Sequence, residues 1–122
     1  VVQTVRGTAL AGAAELLRAL ASEVRLAVVV ELANAPRCVH QLQAALRGQD
    51  RDVSQPLLSQ HLKVLRDARL VTTTRDGTEI NYQLVNDRIV RIVVDVMRQA
   101  AREEEPWSTE LEDLLPGLPA ND

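Results

Sequence analysis

Between Ser54 and Leu84 the chain reads SQPLLSQHLKVLRDARLVTTTRDGTEINYQL, and this stretch restricts the fold more than any other. Ser54 is a helix N-cap residue type, and Pro56 falls in the first turn, where proline is tolerated because its missing N–H has no intrahelical partner. Leu58, Leu62 and Leu65 repeat at helical spacing and predict a buried stripe, while Pro56, Ser59, Gln60 and Lys63 point roughly the opposite way. Two short strands follow, about Leu70–Arg75 and Glu79–Leu84, with Asp76-Gly77 as the turn between them. Ile80, Tyr82 and Leu84 alternate with Glu79, Asn81 and Gln83, as expected of a hairpin with one buried face and one wet face. A polar helix face therefore stands beside a hairpin whose tip is read as cationic.

The rest of the chain supplies helices. Residues about 8–20 are rich in Ala and Leu. Ser22 can cap a second helix from Glu23 to about Asn34, which Ala35-Pro36 ends because proline disfavours helix at the residue before it. A third helix is expected from about Arg37 to Leu46, with Val39, Leu42, Ala45 and Leu46 inward. Arg47–Val53 is a polar turn. The last helix, about Asp87–Glu103, places Ile89, Ile92, Val93, Val96, Met97 and Ala100 on one face, and Val90 and Val94 widen that stripe. A helix apolar on more than one face suggests burial against a second subunit. The order predicts a mainly α fold with a small β-hairpin, a winged helix-turn-helix.

Composition bounds this reading. A chain of 122 residues with 46% apolar residues can bury one core of ordinary size. Two aromatic residues, Trp107 and Tyr82, make a β-sandwich a poor fit. No apolar run approaches the ~18 residues of a membrane span, and no signal peptide is visible, although the chain starts at Val1 without Met. One cysteine cannot form an intrachain disulfide, which fits the cytoplasm. The net charge of −3 is unevenly spread, because Glu103–Asp122 holds seven acids and no Lys or Arg. Residues 1–102 thus carry 14 basic and 10 acidic groups, a net of +4, compatible with DNA as a partner. Residues 1–104 are read as one DNA-binding and dimerisation domain and 105–122 as an acidic, Pro-rich tail, in which Thr109–Glu112 resembles a capping box and could open a short helix.

LLRALASEVRLAVVVELANAPRCVHQL, SQPLLSQHLKVLRDARLV and the RDGTEINYQL hairpin together resemble the ArsR/SmtB family of bacterial metal- and stress-responsive repressors, over about residues 12–102. The resemblance implies a cytoplasmic homodimer, joined through its first and last helices, that binds an imperfect palindrome in a promoter until a ligand releases it. Leu16, Leu17 and Leu20 with Ile89, Ile92, Val93, Val96 and Met97 are the expected dimer contacts. Recognition helices read base edges near their N-terminus, here Ser54, Gln55, Pro56, Ser59 and Gln60. Gln pairs bidentately with adenine, Ser donates or accepts, and Leu57 can touch a thymine methyl. Lys63 and Arg51 suit phosphates, and Arg75, with Gly77 and Thr78 at the hairpin tip, suits phosphate or the minor groove. His61 lies nearer the leucine stripe, where packing against the third helix competes with a base contact.

Three features depart from the family pattern. Arg47–Val53 is longer than the usual tight turn before the recognition helix. Arg69 stands where a Gly commonly closes that helix with positive φ, at a cost of about 1 kcal/mol for any other residue. The third is the inducer site. Cys38 and His40 fall where metal-sensing members carry ligands, and thiolate and imidazole suit zinc or another transition metal. Residues two apart project about 200° apart on a helix, however, so both reach one ion only where the segment is irregular. The competing reading is a buried structural Cys and a helix-start His. The other usual site, on the last helix, is degraded: its positions hold Asn86-Asp87-Arg88, Gln99 and Arg102. A DNA-binding member without induction, or one controlled by a partner, is therefore the alternative. Cys38 as a nucleophile with His40 as its base is disfavoured by the same geometry, so no enzyme is expected.

Overall fold

The computed structural model describes residues 2–101, with backbone alone for residues 2–6; the expected acidic tail and its helix lie outside the described residues. The elements run α1 (Val2–Leu20), α2 (Glu23–Leu32), β1 (Arg37–Cys38), α3 (Val39–Arg47), α4 (Gln55–Asp67), β2 (Val71–Asp76), β3 (Glu79–Leu84) and α5 (Arg88–Ala100). The three strands form one antiparallel sheet in the order β1-β3-β2. α3, the turn and α4 make the helix-turn-helix, and β2–β3 make the wing.

α1 starts six residues earlier than the Ala/Leu pattern indicated, since nothing between Val2 and Leu20 breaks a helix. Ser22 then caps α2 by accepting a hydrogen bond from the Arg25 backbone N–H at 3.3 Å. The expected helical start at Arg37 is wrong. Arg37 and Cys38 are extended and pair with Tyr82 and Asn81 of β3. Pro36 has already interrupted the chain, and the strand bonds come from a partner over forty positions away that local periodicity does not reveal. Helix resumes at Val39, where the Gln41 side chain turns back and its Oε1 accepts the Cys38 N–H at 2.9 Å.

The long turn before α4 is in part an extension of α3. Asp50 N–H bonds to the Arg47 carbonyl and Arg51 N–H to the Leu46 carbonyl, while Asp50 adopts φ 60°. That is a Schellman closure with Asp50, rather than Gly48, as its left-handed residue, a conformation short polar side chains tolerate. Val53 then drops into the core, and Gln43 Nε2 holds its carbonyl at 3.0 Å. The extra residues thus have a defined path to the start of α4.

α4 ends the same way, and here the expectation at Arg69 holds. Arg69 has φ 62°, its N–H bonds to the Arg66 carbonyl, and Leu70 N–H bonds to the Leu65 carbonyl. Leu65 and Leu70 are both buried, the hydrophobic contact that accompanies this motif. Leu70 belongs to the helix closure, so the strand begins at Val71. The hairpin register carries pairing out to Asp76 with Glu79, which moves the two-residue turn to Gly77-Thr78 instead of Asp76-Gly77. Gly77 has φ 64°, the positive value a type II′ turn needs at its first central residue.

Leu42, Leu46, Leu58, Leu62, Leu65, Val28, Val29 and Val93 form the centre of the core. Fully burying each such side chain contributes roughly 1.5–3 kcal/mol. This stripe fixes which face of α4 is left to solvent. Val90 and Val94 make a second small cluster with Ala33, Leu84 and Met97. The width of the α5 stripe is therefore explained within one chain and does not itself require a second subunit. α5 stops at Ala100, short of the expected Glu103, because Ala101 is extended.

Candidate nucleic-acid interface

With Leu58, Leu62 and Leu65 fully buried, helical geometry turns Gln55, Pro56, Leu57, Ser59, Gln60 and Lys63 outward, and all six are exposed. The face is polar, unhindered and concentrated in the first two turns. Ser54 has a more constrained role than expected. Its Oγ accepts the Leu57 N–H at 3.3 Å as the helix cap, which leaves its hydroxyl proton for an outside partner.

Two of the expected phosphate-binding cations already have partners. Lys63 Nζ lies 2.8 Å from Asp67 Oδ2, one turn further along α4, and Arg51 reaches Glu23 of α2 at 3.5 Å. Both pairs are exposed enough that solvent weakens them, so a phosphate can displace the carboxylates at small cost. The Lys63–Asp67 spacing of four was readable in the sequence as a helical ion pair. Glu23 was not, because nothing local links it to Arg51.

The wing tip is less cationic than the sequence reading held. Side chains alternate along paired strands, so Arg75 shares a face with its partner Ile80, the face that carries Val71, Tyr82 and Leu84 onto the core. Asp76 and Glu79 pair with each other on the opposite face. Arg75 is therefore a single cation next to two carboxylates. Ile80 is 42% exposed, against the expected burial, because the hairpin projects past the helical body it packs on lower down.

His61 turns toward α2. It is half-buried, and its Nδ1 lies 3.1 Å from Nη1 of Arg25 on α2. Burial of the imidazole, and secondly the Arg25 charge, hold its pKa below the usual histidine value. His61 thus faces inward toward a cation rather than outward with Gln60.

Cys38 and His40 border one cleft of about 260 Å³ with Val39, Ser59, Thr78, Glu79, Ile80 and Tyr82. Cys38 is 6% exposed at the extended helix cap, and His40 is exposed in the first turn. The segment is irregular here, which removes the geometric objection to the two facing one space. Yet among the described residues no group of three His, Cys, Asp or Glu stands close enough to hold a metal. Structural zinc takes four donors, so these two residues alone do not make that site. Near the start of α5, Asn86 Oδ1 accepts the Arg88 N–H at 3.0 Å, and Asp87 stands at the N-cap position without a side-chain bond to the helix.

Of the expected dimer contacts, Leu20, Ile89 and Val93 belong to the chain's own core, and Met97 packs partly on it. Burial of Leu20, Ile89 and Val93 leaves them little surface for a partner, whereas Met97 is only half-buried. Leu16, Leu17, Ile92 and Val96 remain exposed, Leu17 at 56% and Val96 at 51%.

A buried leucine stripe under an exposed polar helix face, entered by a turn and followed by a β-hairpin, defines the winged helix-turn-helix class of DNA-binding domain. Comparison with known proteins narrows the class, because residues 22–73 match the arsR family of bacterial regulatory proteins. The chain belongs to that family. It is 46% identical over 91 residues to the HTH-type transcriptional repressor SmtB of Mycobacterium tuberculosis, a match covering 75% of this chain and 64% of that repressor. The chain thus spans less than two thirds of that relative's length. Among solved structures it is similar to the transcriptional regulator HlyU of Vibrio vulnificus, at 30% identity and TM-score 0.66, covering 83% of this chain and all of that one. It also resembles the homodimeric winged helix-turn-helix DNA-binding domain Mb0332 of Mycobacterium bovis, at 25% identity and TM-score 0.68, over 82% of this chain and 88% of that one. No helix among the described residues is long and apolar enough to cross a membrane.

Proposed function

We propose that the chain is a sequence-specific transcriptional repressor that binds double-stranded operator DNA as a homodimer in the cytoplasm. The observation that carries this reading is the polar α4 face from Gln55 to Lys63, exposed over a fully buried leucine stripe and beside the wing. Gln55, Ser59 and Gln60 read base edges, Leu57 meets a thymine methyl, and Pro56 and Ser54 set the entry of the helix. Arg51, Lys63, Arg75 and the Gly77-Thr78 tip meet backbone phosphates. Leu16 and Leu17 of α1 with Ile92 and Val96 of α5 are exposed apolar residues available to the partner, and a homodimeric relative supports dimer formation. Two copies related by a two-fold axis present two α4 helices to successive major grooves, roughly 34 Å apart. The reading assigns no catalytic step. It also takes residues 1–104 as the DNA-binding and dimerisation unit and 105–122 as an appended tail.

Fluorescence anisotropy against the chain's own upstream DNA and a random duplex tests the reading. Tighter binding to the former, with affinity falling steeply as salt rises, is the expected result. Equal, salt-insensitive binding to both refutes it.

Ligand-controlled release is a second reading, supported by the cleft that joins Cys38 and His40 to Ser59 of α4 and Thr78 of the wing. A ligand there separates the two DNA-contacting elements, and a coupling of about 1–3 kcal/mol suffices to change occupancy. Zinc or another transition metal is one such ligand if further donors come from elsewhere. A metal panel against the DNA complex, wild type beside Cys38→Ser, decides it: release by an ion that the variant ignores supports metal control. Binding unaffected by every ion leaves a constitutive or partner-controlled repressor.

A further inference from the structure

The Arg25 guanidinium, carried on one helix, bonds to two others at once. From α2 it donates through Nε to the Ala19 carbonyl at 2.6 Å, and through Nη2 to the Arg18 carbonyl at 3.4 Å, both in the last turn of α1. Its Nη1 meets Nδ1 of His61, thirty-six positions along the chain, on the recognition helix. The last carbonyls of a helix have no partners within it and carry the negative end of its dipole, so a cation bound there is favoured. Arginine's planar fork spans these acceptors simultaneously, which the single ammonium of lysine does not.

We infer that Arg25 and His61 are positioning residues that clamp the recognition helix α4 to the end of α1, so that the setting of the reading face follows the helix expected to join the dimer. The inference rests on the DNA-binding reading above. A guanidinium has no lone pair to offer, so Nδ1 must be the acceptor and the neutral imidazole carries its proton on Nε2. The bond therefore fixes the ring's tautomer as well as its orientation. It lies on the inner side of α4, one position from Gln60, and a small rotation of α4 about this point moves Ser59 and Gln60 off their base edges. Phosphate contacts, being less directional, are less affected. His61 accordingly leaves the base-reading set and acts through the placement of its neighbours.

A double-mutant cycle tests the clamp, using Arg25→Met, which keeps the apolar stem without donors, His61→Ala, and both together. Each single change is expected to lower the ratio of operator to random-duplex affinity about tenfold, with the double change no worse than either. Random-duplex affinity and helical content stay as in wild type. His61→Gln, which restores an acceptor, recovers the ratio, whereas Arg25→Lys does not. Losses that add in the double variant, or a His61→Gln variant as impaired as His61→Ala, overturn the inference. Imidazole nitrogen NMR provides a readout without DNA, simplified by there being two histidines in the chain. Wild-type His61 should show an Nε2–H tautomer with a hydrogen-bonded Nδ1, Arg25→Met should shift the Nδ1 resonance toward that of a free acceptor, and an unchanged spectrum overturns the clamp. A wild type that prefers no sequence while keeping this signature would sink the repressor reading and leave the Arg25–His61 bond standing.

Discussion

Arg69→Gly should stabilise the protein without altering what it binds. Arg69 closes α4 at φ 62°, and a left-handed backbone costs an L-residue roughly 1–2 kcal/mol through its Cβ. Glycine removes that term but loses more freedom on folding, an offset of roughly 0.5–1 kcal/mol. The side chain is exposed and makes no ion pair among the described residues, so little packing is lost with it. The net gain is about 0.5–1 kcal/mol, which for a domain of this size raises the melting temperature by roughly 2–8 °C. Thermal unfolding followed by circular dichroism reads it, at one protein concentration because association makes the midpoint concentration-dependent. Arg69→Val, placing a β-branched residue at the same φ, should move the midpoint down. A glycine variant no more stable than wild type, or a valine variant equal to it, refutes the strain assignment.

Asp67→Asn frees Lys63 and should tighten binding to all duplexes a few-fold at low salt, with stability changed by less than about 0.5 kcal/mol, as anisotropy titrations and urea unfolding would report. Gln60→Ala should relax base preference on selected DNA, whereas Arg75→Ala should weaken binding to every sequence alike. The lowered pKa of His61 gives stability a definite pH dependence. The folded chain takes up this proton less readily than the unfolded chain, whose histidine titrates near 6.5, so the contribution is complete above that pH and is lost as pH falls below it. Urea midpoints of wild type should thus fall more between neutral and mildly acidic pH than those of His61→Gln.

The helical part of the fold was legible because its signals are local. Ser22 and Ser54 act as the caps their residue type suggests, and Leu58, Leu62 and Leu65 are buried at the spacing that predicted it. Positive φ at Arg69 was legible only through the family resemblance, in which a Gly commonly closes this helix. Asp50 shows the limit: it takes the left-handed closing position while Gly48, two positions earlier, keeps helical geometry, and nothing local in the polar turn singled it out. What escaped depends on contacts distant in sequence. Arg37-Cys38 becomes a strand because Tyr82 and Asn81 lie alongside, and Val90 and Val94 are satisfied by Ala33 and Leu84. In the candidate site, the exposed α4 residues followed from helical periodicity. His61 also leaned toward the leucine stripe by the same periodicity, but its partner Arg25, thirty-six positions earlier, carried no recognisable motif.

DNase footprinting of the chain on its own upstream region tests the central claim most directly. The account predicts two protected half-sites about one helical turn apart, with protection weakened by Gln60→Ala and by rising salt. Absence of any protection at low salt, by a preparation shown to be folded, would contradict it.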